Sequence, residues 1–347
     1  MQLCTTPAFG GGGAILFCMI VPASPENIER ASRLISSGDI VAFPTETVYG
    51  LGANALDPAA VVKIFEAKHR PLFDPLIVHV ANMDMARTVA RVDTEIVQRL
   101  ARAFWPGPLT LIMPKTALIP DIVTAGFSTV AVRMPDHPVA LELVKQAKVP
   151  IAAPSANAFG KLSPTTASHV EEQLGNAVSM ILDGGASAVG VESTILDVTR
   201  SVPTIVRAGG LAAEDIERVV GTIDIDCSAS ERPDAPGKLK HHYAPRTARL
   251  QLLEHAWPVQ RIVLSSEKRY GLLAFGTPRG AEGFAEVQVL PRDALFEQAA
   301  ARLFEALHAL DRAQLDVIFA EPVPEIGLGR AIMDRLRRAS ANDDEML

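Results

Sequence analysis

The run LTLIM at residues 109–113 is followed at 129–135 by TVAVRMP, and STILDV at 193–198 is followed at 204–207 by TIVR. Each is a short apolar, β-branched run of the kind that forms a buried strand, and neither pair encloses an amphipathic helix of ordinary length. Parallel neighbours need a long crossover, whereas antiparallel neighbours need only a loop. Such pairs argue against a purely doubly wound parallel sheet and favour an α/β fold with a twisted, largely mixed sheet.

Helix signals fill the intervals. In SPENIERASRLISSGD, Ser24 reads as an N-cap, Pro25 as the first helical residue, Ile28, Ala31, Leu34 and Ile35 as the apolar face, and Gly38 as the stop. DPAAVVKIFEAK repeats the device with Asp57 and Pro58, and its last turn delivers Lys68. DTEIVQRLARAFW, HPVALELVKQA and AEDIERVV read as further helices, and Ser163-Pro164 as another helix start. Residues 24–221 therefore predict one α/β catalytic-sized domain. Residues 222–248, with SASERPDAPGKLKHHYAPRT, lack an apolar period, contain three prolines and read as a linker. From 249 to 347, strand runs (RLQLL, RIVLS, YGLLAF, VQVL, LDVIFA) alternate with RDALFEQAAARLFEALHALDRA and GRAIMDRLRRAS, the pattern of a smaller Rossmann-like parallel β/α domain.

A length of 347 residues suits two cores. The net charge of -7 speaks against non-specific coating of nucleic acid, so any polyanion site must be local. Cys4, Cys18 and Cys227 are too few and too scattered for a disulfide framework or a metal knuckle, which fits a reducing cytoplasm. AILFCMIV at 14–21 has the look of an export signal but no positive region before it, the first charge being Glu26, and reads as a glycine-rich leader followed by an ordinary strand. No run approaches the ~20 apolar residues of a membrane span.

The chemistry-bearing stretch is KHRPLFDPLIVHV at 68–80. Two apart on a helix, Lys68 and Arg70 would diverge by about 200°, and the break supplied by Pro71 lets them converge. They read either as a solvated helix end or as a polyanion site combining a point charge with a planar fork. PTETVYGLGANA at 44–55 and APSANAFGKLSP at 153–164 both start at strand ends, where α/β folds bind ligands. The second offers Ser155, Asn157 and Ser163; in the first, Gly50 and Gly52 either admit a ligand close to the backbone or make a turn. Ser193 in GVESTI, Arg207 in TIVRAGG and Arg133 at the end of TVAVR add polar groups at other strand ends. The chain contains no phosphate-loop motif, nucleophile elbow or metal-spaced Cys/His cluster, and His241-His242 lacks a second ligand motif. Cations and hydroxyls without an evident nucleophile suit a reaction between bound substrates, driven by positioning and electrostatics.

FPTETVYGLGANA, IFEAKHRP, PLIVHV, WPGPLT, VAVRMP, AAPSAN, SPT and GVESTI, in that order, resemble the YrdC-like family, and APGKLKHHYAP with GLGRAIMDRL resembles its two-domain form. The resemblance implies a YrdC-like catalytic domain that joins L-threonine, bicarbonate and ATP into threonylcarbamoyl-AMP, releasing pyrophosphate. The product would serve threonylcarbamoylation of adenosine in tRNA. By the same resemblance, Lys68 and Arg70 neutralise phosphates with Mg2+, and Ser155, Asn157, Ser163 and Arg207 contact nucleotide. Thr45, His79, Arg133 and Ser193 line the threonine pocket, with Arg133 on the carboxylate. Tyr243 folds back over the nucleotide, making the linker a lid; residues 231–249 carry five cations against two carboxylates, a balance of +3. A cytoplasmic monomer is expected, with tRNA or a downstream transferase as a further partner. Two positions depart from the family pattern: Asp74 stands where Asn is usual, so that it repels phosphate unless it faces Mg2+ or a basic partner, and Asp334 replaces Asn in IMDRL. A competing reading is a non-catalytic RNA-binding module using the same basic concavity, whose binding would weaken steeply with salt.

Overall fold

The computed structural model describes residues 20–230, 233, 235–256, 264–278, 280–293 and 296–341. Cys4, Cys18, most of the leader, part of the expected strand RIVLS, and Glu231, Arg232 and Asp234 of the linker lie outside the described residues.

Among the described residues, eleven strands form one mixed sheet. They are β1 (Ile20–Pro22), β2 (Val41–Phe43), β3 (Gly50–Asn54), β4 (Ile77–His79), β5 (Leu109–Pro114) and β6 (Thr129–Arg133), then β7 (Ile151–Ala152), β8 (Met180–Asp183), β9 (Thr194–Asp197), β10 (Thr204–Arg207) and β11 (Asp224–Ile225). Their order is β1-β8-β2-β3-β7-β4-β6-β5-β9-β10-β11. Both strand pairs that suggested a mixed sheet are antiparallel, β5 with β6 and β9 with β10, while β4 with β6 and β5 with β9 are parallel. The helices of this part are α1 (Pro25–Ser36), α2 (Pro58–Lys68), α3 (Met83–Val89), α4 (Glu95–Phe104), α5 (Asp121–Thr124), α6 (Pro138–Ala147), α7 (Ala167–Leu174) and α8 (Ala213–Val220). A second, all-parallel sheet has the order β12-β15-β13-β14, from β12 (Arg249–Leu252), β13 (Tyr270–Phe275), β14 (Glu286–Leu290) and β15 (Val317–Ala320), with α9 (Glu297–Arg312) and α10 (Gly329–Ser340).

Helix entry follows the capping signals. Ser24 and Asp57 accept the N–H groups of Asn27 and Ala59, each with a proline at the first helical position. The Ser163-Pro164 start is corrected: Thr166 caps α7, and Ser163 is fully buried outside it, bonded to Glu192. Gly50 and Gly52 sit inside β3, where a Cβ on Gly52 would come 2.7 Å from both Ile151 and the Phe43 ring. Gly52 thus serves close packing within the sheet layer rather than a turn. The linker is not structureless at its start, since β11 extends the first sheet beside β10.

Each sheet has apolar clusters of its own, and one further cluster joins the two. Val48, Leu162 and Val191, from loops of the first sheet, belong to one apolar cluster with Leu250, Phe304 and Leu336 of the second. One close approach is at Gly190, which has a left-handed φ of 74° and lies so near α9 that a Cβ would sit 2.4 Å from the Ala301 Cα. Gly190→Ala should therefore push α9 off its seat and lower stability by about 2 kcal/mol or more, through strain and lost packing. Urea unfolding of the full chain measures the loss, and limited proteolysis should show faster cleavage within 222–248; an unchanged unfolding midpoint would contradict this seating.

Candidate active site

Loops from several strand ends converge on a cavity of about 50 Å³. The turn between β2 and β3 contributes Thr45, Thr47 and Tyr49; β4 and β6 contribute His79 and Arg133; the loop after β7 contributes Ser155. Opposite them stand Glu192 and Ser193 before β9 and Arg207 at the end of β10, with Pro236, Gly237, His242 and Tyr243 of the linker beside them. Of the residues expected from sequence, Thr45, Arg70, His79, Arg133, Ser155, Ser193, Arg207 and Tyr243 line this one cavity. Lys68, Asn157 and Ser163 stand behind its wall and brace it.

The bracing is specific. Helix α2 ends at Lys68 because His69 turns left-handed (φ 52°), two residues earlier than the break expected at Pro71, and the Arg70 N–H closes on the Phe65 carbonyl. Lys68, only 1% exposed, donates its ammonium to the carbonyls of Ser155 (2.5 Å) and Asn157, so it holds the loop after β7. Burial pushes this ammonium well below its usual range and Arg70 adds to the effect. Asn157 extends the brace, its amide donating to Ala158 (2.8 Å) and Lys161 (2.9 Å) while it accepts from Ser155 Oγ. Arg70 donates to the carbonyls of Asp74 (3.2 Å) and Pro75 (2.8 Å) and pairs with the Asp74 carboxylate at 2.9 Å. Asp74 thus faces a basic partner; burial nonetheless raises its pKa, outweighing Arg70 and Lys68.

At the other end, all three nitrogens of Arg133 are engaged, by Gly107 O (3.2 Å), Thr47 Oγ1 (2.8 Å) and Glu46 (2.5 Å). Burial alone would raise Glu46, but Arg133 holds it below the usual carboxylate range. Thr45 Oγ1 donates to the Val48 carbonyl (2.6 Å) and lies 2.8 Å from the Thr47 hydroxyl, which fixes the turn. His79 is pushed down to about 3, chiefly by burial and then by Arg133, so it is a neutral imidazole at physiological pH, and its Nδ1 is buried without a hydrogen-bond partner. The ring lines the cavity as a neutral group.

Arg207 meets only neutral oxygens through its hydrogen bonds: Ser193 O (3.1 and 2.8 Å), Ser193 Oγ (3.0 Å) and Pro236 O (3.2 Å). Burial draws it down to about 10, which leaves it cationic at neutral pH. Ser193 Oγ is also 2.7 Å from Thr110 Oγ1. Glu46, Thr47 and Glu192 were not singled out from sequence, although they sit inside the motifs PTETVYG and GVESTI; a carboxylate beside a polyanion site is legible only once its arginine partner is known. His241 and His242 diverge, the first exposed and the second buried with its ring 4.1 Å from Tyr243. Among the described residues, no group of three or more His, Cys, Asp or Glu is placed to hold a metal ion, and no helix is long and apolar enough to cross a membrane.

Comparison with known proteins covers both parts of the chain. A family model described as "Telomere recombination" (Sua5_yciO_yrdC) matches residues 33–209, and one described as "Threonylcarbamoyl-AMP synthase, C-terminal domain" matches 211–341. Threonylcarbamoyl-AMP synthase of Pyrococcus abyssi is 44% identical over 324 residues, covering 90% of this chain and 94% of its own length. The Bacillus subtilis protein of that name is 44% identical over 321 residues, covering 90% and 92%. The crystal structure of P. abyssi Sua5 complexed with L-threonine matches with a TM-score of 0.84 at 43% identity, over 91% of this chain and 95% of that one.

His79, His169 and His242 are all held down to about 3, each chiefly by burial. His169 of α7 stacks on His308 of α9 at 3.8 Å, so the seam between the two parts carries the same sensitivity. An unfolded imidazole binds its proton near pH 6.5 and these folded ones resist until about 3; the unfolded state then holds more protons, and stability falls as pH drops through that window. Urea titrations between about pH 7.5 and about pH 5 should show a loss of about 1.4 kcal/mol per unit for each group below its unfolded pKa. His169→Leu should flatten that slope.

Proposed function

The chain belongs to the threonylcarbamoyl-AMP synthase family, and from that premise we propose that its cavity gathers L-threonine, bicarbonate and ATP and forms threonylcarbamoyl-AMP by adenylyl transfer. The supporting observation is that Arg70 and Arg207, suited to a triphosphate, line the same cavity as Arg133, Ser193 and the neutral ring of His79, suited to an amino acid. Both ligands would therefore meet in one water-restricted space.

In this reading the threonine amine adds to bicarbonate and water leaves, giving a carbamate. A carbamate oxygen then attacks the α-phosphorus of ATP, and the bond to the β-phosphate breaks to release pyrophosphate. Arg133 would take the threonine carboxylate, sharing its NH1 and NH2 between substrate and the Thr47 and Glu46 groups they now touch. Thr45, Ser193 and neutral His79 would orient the amino acid. Arg70 and Arg207 would balance the triphosphate, and Lys68, Ser155, Asn157 and Ser163 would hold the loops that carry them. The nearby carboxylates Asp74, Glu46 and Glu192 are all paired with arginines, so Mg2+ would be brought by the triphosphate and would offset part of its charge. Tyr243 and the neighbouring linker would close over the nucleotide and limit hydrolysis of the product, which would pass to threonylcarbamoylation of tRNA.

Pyrophosphate release by the full chain with ATP and Mg2+ should require both bicarbonate and L-threonine, with serine a poorer substrate. Lys68→Ala and Arg70→Ala should each lower turnover by roughly 100-fold or more with the fold retained, and Arg133→Ala should raise the threonine KM by roughly 10–100-fold. Release that ignores threonine, or full turnover in both phosphate-side variants, would contradict the assignment; salt-sensitive tRNA binding without turnover would instead favour an RNA-binding module.

A further inference from the structure

Arg335 of α10 belongs to the second sheet's layer, is fully buried, and does not line the cavity. Its Nε and NH2 each lie 3.0 Å from Glu192 Oε2, whose other oxygen accepts from Ser163 Oγ at 2.5 Å. NH1 reaches the Ala208 carbonyl at 2.6 Å, next in sequence to Arg207, and the Asp334 carboxylate at 2.9 Å. The guanidinium carbon stands 5.3 Å from the centre of the Tyr243 ring, within cation–π range.

Both cavity groups that Arg335 touches need holding. Tyr243 has a left-handed backbone (φ 64°), costly for a residue with a side chain, and its ring is only 1% exposed. Among the described residues, His242 packs beside that ring, and Phe304 of α9 and Arg335 of α10 face it from the second part of the chain. Glu192 is a buried carboxylate beside Arg207, and the two groups attract each other. Left without Arg335, it would turn to Arg207 for compensation and cancel the charge that a triphosphate needs.

We propose that Arg335 is a positioning residue for nucleotide binding, by which docking of the C-terminal helix completes the catalytic cavity: it engages Glu192 so that Arg207 stays available, and it sets the Tyr243 ring over the nucleotide. The proposal rests on the reading that Arg207 and Tyr243 serve ATP. It gives the second part of the chain a direct role in the reaction rather than one of bulk stabilisation alone.

The test is calorimetric binding of Mg-ATP and, separately, of L-threonine to the full chain, comparing wild type with Arg335→Lys, which keeps a charge but loses the fork. ATP binding should weaken roughly tenfold or more while threonine affinity stays within about twofold, a split that simple loosening of the fold would not produce. In a Tyr243→Ala background the same change should cost less than it does alone, because Arg335 acts partly through that ring. Should Arg335→Lys fail to fold, the pair Glu192→Gln with Arg335→Met, which removes charge and partner together, is compared with Glu192→Gln alone, and should bind ATP more weakly through loss of the contact with Tyr243. Unchanged ATP affinity in Arg335→Lys, or equal weakening of both ligands, would overturn the proposal. A wild-type chain that binds ATP but releases no threonine-dependent pyrophosphate would overturn the functional reading instead, and the binding comparison would still decide the role of Arg335.

Discussion

Four buried cations share the environment of one cavity, and the rest of the site follows from how each is compensated. Arg70 and Arg133 are matched by carboxylates, Asp74 and Glu46, in short ion pairs. Lys68 and Arg207 are matched by neutral oxygens, chiefly backbone carbonyls. The difference matters because a carbonyl dipole satisfies a buried donor without cancelling its charge, whereas a carboxylate does both. Arg207 therefore leaves net positive charge at the cavity, while burial and the neighbouring Arg70 press Lys68 toward its neutral form. A polyanion entering it would relieve part of the burial cost that now lowers both pKa values.

The fold makes this compensation possible by bringing irregular backbone to one place. Carbonyls that accept from cations must lie outside the strand ladders, and the loops before β9 and after β7 and β10 supply them from different parts of the chain. Such loops stay ordered only if something packs behind them. Part of that backing comes from the second sheet: α9 passes directly over Gly190, two residues before Glu192, and α10 inserts Arg335 behind Glu192 and Tyr243. The loops of the cavity and the C-terminal layer thus share one apolar cluster and one ion-pair network.

Local signals were read well where the physics is local. Capping by Ser24 and Asp57, prolines at helix starts, and the apolar runs of β5, β6, β9 and β10 all depend on neighbours within a few residues, and the structure has them where expected. Misreadings arose where distance in sequence hides proximity in space. Ser163-Pro164 looks like a helix start, yet Ser163 spends its hydroxyl on Glu192, 29 residues away. Gly52 looks like a ligand-approach glycine, yet the atoms that forbid a side chain there belong to Phe43 and Ile151. Arg335 has no local signature as a member of the site, since its partners lie 143 and 92 positions earlier.

By itself the sequence determined the fold class, the two-part organisation and the set of polar residues from which a site had to be built. It did so because strand period, helix caps and ordered motifs are properties of short stretches. Only the tertiary structure decided which cations keep their charge available and which are neutralised by carboxylates. It also decided that Lys68 braces a loop from behind the wall, and that the C-terminal helix closes the network around Glu192 and Tyr243. Those outcomes are set by distances of about 3 Å between residues far apart in the chain, in a medium where burial makes each unmatched charge costly.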